Sequence, residues 1–149
     1  MKGFYKTDAR QVFTADGFYP THDIVRIEED GYLYFEARRG DVLKTAGSNV
    51  SRLEVEAALR NLPEVELPIV VGLSDPEIGQ LVVAAVVPKP GTTPTEASLK
   101  AELREQLSSY KIPRRIVIIA FDEVDWTPSN KVKLAEMGRL IAGRISHQS

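Results

Sequence analysis

Pro68-Ile69-Val70-Val71-Gly72-Leu73 and Leu81-Val82-Val83-Ala84-Ala85-Val86-Val87 are two apolar, mostly β-branched runs, and Ser74-Asp75-Pro76-Glu77-Ile78-Gly79 leads from the first to the second. Branched side chains lose rotamer freedom in a helix and pack well on a pleated surface, so each run reads as a strand. Asp, Pro and Gly between them are turn formers, which predicts a β-hairpin. Before it, Ser51-Arg52-Leu53-Glu54 has capping-box spacing, and Leu53, Ala57 or Ala58, and Leu62 offer an apolar helical face. After it, Thr93-Pro94-Thr95-Glu96 reads as a second cap with proline at the first helical position. Leu99, Leu103 and Leu107 follow at four-residue intervals. Arg115–Phe121 reads as a third strand, and Leu134, Met137 and Ile141 mark a closing helix. Helix, strand, strand, helix, strand, helix predicts an α+β fold: a small sheet of about three strands flanked by helices.

Residues 1–37 read as a separate piece. Glu29-Asp30-Gly31 is a turn signal inside Val25–Phe35, so an N-terminal β-hairpin precedes the compact unit. This piece has too few apolar residues to bury a core of its own. Arg38-Arg39-Gly40 reads as the junction, where glycine supplies backbone freedom. The 149 residues, 43% hydrophobic and 27% charged with a net charge of −2, suit a globular domain and give no electrostatic reason to expect nucleic acid. No run reaches the length of a membrane span, and a cytoplasmic location is the expectation. Without cysteine there is no disulfide or thiolate chemistry, and two histidines cannot build a usual zinc site, so no metal-ligand set is expected in the chain.

Three ordered stretches carry the chemistry. Asp16-Gly17-Phe18-Tyr19-Pro20-Thr21-His22-Asp23-Ile24 comes first. Arg38-Arg39-Gly40-Asp41-Val42-Leu43-Lys44-Thr45-Ala46-Gly47-Ser48-Asn49-Val50 follows, and Thr127-Pro128-Ser129-Asn130-Lys131 closes the set. The last puts one lysine at the end of a tight polar turn, a compact charge on a long stem that can meet a carboxylate and a phosphate together. In order and spacing these stretches resemble the last three signature regions of the adenylate-forming enzymes, which include acyl-CoA synthetases, aryl-CoA ligases, peptide-synthetase adenylation domains and luciferases. The resemblance runs from Met1 to about Leu140.

The resemblance assigns roles. Lys131 matches the lysine that bridges the carboxylate substrate and ATP during adenylation, steadying charge as the carboxylate attacks the α-phosphorus; Lys133 is a nearby lysine outside the motif position. Asp23 matches the aspartate of a Thr-Gly-Asp motif that holds the adenylate ribose hydroxyls, and Arg38 the arginine that contacts ribose or phosphate. Gly40 and Asp41 fall at the pivot, Gly40 where many relatives carry Asp or Lys. Ala46, Gly47 and Ser48 fall in a Ser-Gly-Gly-Glu-Asn loop that lines the tunnel for CoA or pantetheine; the same residues also read as a hairpin turn ahead of the Ser51 cap. His22, Ala46 and Asn130 each stand where the motifs have glycine. Tyr110-Lys111-Ile112-Pro113 also resembles a family stretch and reads as a lead into the third strand.

The chain lacks the composition of a phosphate loop, which this family carries in a large N-terminal domain with the adenine and acyl pockets. The resemblance therefore implies a C-terminal lid domain, 38–149, preceded by the last hairpin of the large domain, 1–37. The expected parent is an AMP-dependent acyl-CoA synthetase, an acid–thiol ligase using ATP and Mg2+ bound mainly by the missing domain, with CoA as co-substrate. The isolated chain is expected to be inactive. Two alternatives stand: a lid serving a carrier protein's pantetheine arm, and a non-catalytic interaction module.

Overall fold

The computed structural model describes Asp8 and residues 12–147, and the chain divides into two compact units, Met1–Asp41 and Val42–Ser149. In the first, β1 (Asp23–Ile27) pairs antiparallel with β2 (Leu33–Arg38). Their turn is closed by the Gly31 amide donating to the Glu28 carbonyl and the Tyr32 amide donating to the Asp30 carboxylate, with Gly31 at φ +82°. That left-handed backbone favours glycine. Ile27, Leu33 and Phe35 are 62–68% exposed, so the hairpin keeps its apolar side chains in solvent. A short 3₁₀ turn, Arg39–Asp41, ends this unit.

The second unit holds a five-stranded sheet. Its longest strands are the antiparallel hairpin of β5 (Val65–Asp75) and β6 (Gly79–Pro88), with β6 central and β5 at an edge. Asp75 accepts the Glu77 and Ile78 amides across the turn, the local bonding that makes Asp a turn residue. β7 (Arg115–Ile118) adds in parallel to β6, completing the three expected strands. Two more come from the hairpin of β3 (Val42–Thr45) and β4 (Ser48–Ser51), which joins the sheet where Thr45 pairs with Gly79.

Alternation along the strands covers both faces of the sheet. Val70, Val82, Ala84, Val86 and Ile116 face the helices α1 (Arg52–Arg60) and α2 (Glu96–Arg104), through Val55, Leu59, Leu99 and Leu103. Ile69, Val71, Val83, Ala85, Val87 and Val117 belong to a second core with Met137 and Ile141 of α3 (Leu134–Ser146). Successive side chains on a strand point to opposite faces, so residues i and i+1 serve different cores.

Two helix readings shift. α1 is capped by Ser51, whose hydroxyl accepts the Glu54 amide as its spacing predicts. Its buried face, however, is Val55, Ala58, Leu59 and Leu62, while Leu53 is 44% exposed. An i, i+3, i+4, i+7 stripe starting at Val55 buries more apolar surface than one starting at Leu53. α2 begins at Glu96 and not beside Pro94, because Thr95 and Ser98 exchange side-chain and backbone hydrogen bonds in a reciprocal cap. The displaced Glu96 bonds Lys100 and accepts the Ile116 amide, tying α2 to β7.

Candidate functional site

Lys131 is exposed and makes no ion pair with any described residue, whereas Lys133 two positions on is tied to Asp125 at 2.7 Å. That contact, through its hydrogen bond and charge, raises the Lys133 pKa. The turn around Lys131 is closed from both directions by Thr127. The Thr127 amide donates to the Lys131 carbonyl at 2.7 Å, and the Lys131 amide donates to Thr127 Oγ1 at 3.0 Å. Outside them Trp126 and Val132 form an antiparallel bridge, and both pack against the α3 core. Both lysines are exposed, and the difference between them is that Lys133 is paired and Lys131 is not.

Ala46 and Gly47 form the two-residue loop between β3 and β4, with φ +47° and +77°. Positive φ at both central positions is what a two-residue I′ hairpin turn requires. The loop is pinned to the β5–β6 turn: the Ala46 amide donates to the Ile78 carbonyl at 2.9 Å, and the Lys44 amide to the Gln80 side chain at 2.8 Å. Thr45, Ala46 and Ser48 then line a cleft of about 350 Å³ with Tyr110, Ile112 and Arg114. The flanking Leu43 and Val50 belong to the α1/α2 core, so this loop and the Lys131 turn are rooted in opposite faces of the sheet.

In the first unit, Asp23 and Arg38 are register partners on β1 and β2, and Arg38 Nε meets Asp23 Oδ1 at 2.9 Å. The hydrogen bond to Asp23, then its charge, raises the Arg38 pKa. Thr21 Oγ1 accepts the Asp23 amide at 3.3 Å. Gly40 and Asp41 lie in the 3₁₀ turn; Gly40 has no positive φ, and a Cβ there would meet nothing within 4 Å. No three His, Asp or Glu side chains among the described residues converge on a metal position. No helix among them is long and apolar enough to cross a membrane.

Residues 54–131 match the sequence profile of the AMP-binding enzyme C-terminal domain. The chain belongs to that family. It is 38% identical over 141 residues to the 2-succinylbenzoate--CoA ligase of Geobacillus kaustophilus, covering 94% of this chain and 28% of the ligase. It is 38% identical over 122 residues to the 2,3-dihydroxybenzoate-AMP ligase of Bacillus subtilis, covering 80% of this chain and 22% of that protein. Among solved structures, ATP-bound MatB from Rhodopseudomonas palustris superposes with a TM-score of 0.73 at 29% identity, over 88% of this chain and 26% of MatB. The chain thus spans about a quarter of the length of these relatives.

Among the described residues of this AMP-binding C-terminal domain chain, His22, Ala46 and Asn130 are the non-glycine residues with positive φ, at 61°, 47° and 56°. They are the three positions where this chain has another residue and the resembled motifs carry glycine. Two contributions escape the sequence reading. Tyr110 and Ile112 lead into β7 as expected, yet with Arg114 they also wall the cleft beside Gly47. Thr127 holds the turn, and its signal was its place four residues before the lysine.

Proposed function

We propose that this chain is the C-terminal portion of an ATP-dependent acid–thiol ligase, an AMP-dependent acyl-CoA synthetase, with 1–37 ending the large adenylation domain and 38–149 forming the lid. The observation that carries this is the contrast between Lys131, outward and unpaired on a closed turn, and Lys133, held by Asp125. The exposed apolar hairpin supports a large preceding domain as its cover, and the relatives have the length for one.

In the first step a carboxylate oxygen attacks the α-phosphorus of ATP, the bond to pyrophosphate breaks, and an acyl-AMP remains. Lys131 would stabilise the negative charge gathering between carboxylate and phosphate. Asp23, braced by Arg38, would accept hydrogen bonds from the ribose hydroxyls, and Arg38 would face the nucleotide. The lid would then turn about Gly40 and Asp41, withdrawing Lys131 and bringing up Ala46, Gly47 and Ser48 from the other side of the sheet. The CoA thiol sulfur attacks the acyl carbon and AMP leaves. One mobile domain serving two steps is a recognised form of gating. Among the described residues no three carboxylate or imidazole side chains converge, so the ion would sit with ATP on the large domain and no step here is assigned to it. A cytoplasmic location suits such chemistry.

A second acceptor is supported by the relatives, which include an AMP ligase as well as a CoA ligase. A carrier-protein pantetheine would use the same loop.

The test supplies the missing part. The purified chain should form no acyl-CoA. Joined to the preceding portion of the Geobacillus ligase, it should support formation of 2-succinylbenzoyl-CoA. Acyl-CoA made by the chain alone, or a joined protein that folds and binds ATP without ever forming adenylate, would contradict the proposal and favour an interaction module.

A further inference from the structure

We propose that Thr127 is a positioning residue for Lys131, setting the direction in which the turn delivers the ammonium. The inference rests on the adenylation role proposed above for Lys131. Pro128, Ser129, Asn130 and Lys131 are all exposed, and Thr127 is the half-buried member of the turn. Its backbone and side chain together meet three later members of the turn. Its amide donates to the Lys131 carbonyl, its carbonyl accepts the Asn130 amide at 3.0 Å, and its hydroxyl accepts the Lys131 amide while lying 3.1 Å from Ser129 Oγ. Asn130, at φ +56°, makes the reversal that lets those bonds close.

Backbone bonds alone would leave the Lys131 peptide plane able to tilt, since its amide would face only water. The hydroxyl fixes the amide edge of that residue while the Thr127 amide fixes its carbonyl edge, and the Cα–Cβ direction follows once both flanking peptides are held. Lys131 has four further rotatable bonds beyond Cβ, so its mobile tip depends on a stationary base. Displacement of about 1 Å in a catalytic group can cost on the order of 100-fold in rate. Thr127→Val keeps the branched shape and deletes the acceptor, while Thr127→Ser keeps the acceptor.

The experiment uses the joined ligase described above and measures the two half-reactions separately: pyrophosphate release from ATP and acid, and CoA thioester formation from preformed acyl-adenylate. Thr127→Val should slow pyrophosphate release by about tenfold, leave the thiol step within about twofold, and leave the thermal midpoint within a few degrees. Thr127→Ser should restore the adenylation rate. In the 149-residue chain, amide hydrogen exchange at Lys131 should speed up in the valine variant and return in the serine variant. Unchanged pyrophosphate release in Thr127→Val, while Lys131→Ala abolishes it, would overturn the positioning role and leave the lysine assignment standing. Equal loss of both half-reactions, or failure of serine to rescue, would reduce Thr127 to a structural residue and overturn it likewise. Full adenylation by Lys131→Ala would instead remove the reading on which this inference rests.

Discussion

Ala46 carries a methyl group on backbone at φ +47°, where an L-residue other than glycine is strained by about 1–2 kcal/mol. Ala46→Gly removes that strain but gives the unfolded chain more freedom, worth about 0.5–1 kcal/mol. The net expectation is a gain of about 0.5–1 kcal/mol, read as a rise of about 2 °C in thermal midpoint; a fall would show that the loop leaves this backbone in solution. Asn130 tolerates left-handed backbone far better, so Asn130→Gly should be nearly neutral by the same measurement, whereas Asn130→Val should open the Lys131 turn. The motif positions were legible because charged and glycine residues recur at set spacing. The positive φ of His22, Ala46 and Asn130 was not, since φ is settled by the hairpin and turn closures around each residue. Thr127 offered only its place four residues before the lysine, because a threonine in a polar turn gives no sign of which amide it will accept.

Elements of the second unit were legible wherever side-chain type and period agree. The Val-rich β5–β6 hairpin and the Leu99–Leu103 face of α2 read directly, because branching and four-residue spacing dictate them. Helix starts were less so: Thr93 followed by Pro94 reads as the cap, and only Ser98 and Ile116 in place move it to Thr95. Ser51→Ala should cost about 1 kcal/mol in unfolding free energy by stripping the acceptor of the Glu54 amide. Glu96 offers a pH signature. Burial pushes its carboxyl up, but the Lys100 hydrogen bond, the Ile116 amide and the charges of Lys100 and Arg115 outweigh this and hold it below its ordinary 4.5. A lowered carboxylate favours the folded state above its unfolded value and loses that contribution as pH falls through its folded one. Wild type should therefore be more stable than Glu96→Gln at pH 7, with the gap closing below about pH 4.5; a gap that stays constant into acid would contradict the bonding described.

At the scale of the whole molecule, both cores are built from residues after Val42, the first reaching Leu43 and the second starting at Leu67. Residues 42–149 alone should therefore unfold cooperatively, seen as one transition by circular dichroism and by Trp126 fluorescence; two separate transitions would contradict it. The hairpin of the first unit, with Ile27, Leu33 and Phe35 in solvent, has no such core and should need a cover. Opposite rooting of the Lys131 turn and the Ala46–Gly47 loop could not be read from sequence, because it depends on which strand residues face which helix. In the proposed mechanism it would give a swinging lid two different surfaces to offer. The decisive measurement compares Lys131→Ala with Lys133→Ala in the joined ligase, following pyrophosphate release and then CoA capture of preformed acyl-adenylate. Lys131→Ala should cut pyrophosphate release by about 100-fold or more and leave CoA capture nearly intact, and Lys133→Ala should change neither by much. Normal pyrophosphate release from the Lys131 variant, or an equal loss from both variants, would show that this lysine does not complete the adenylation site.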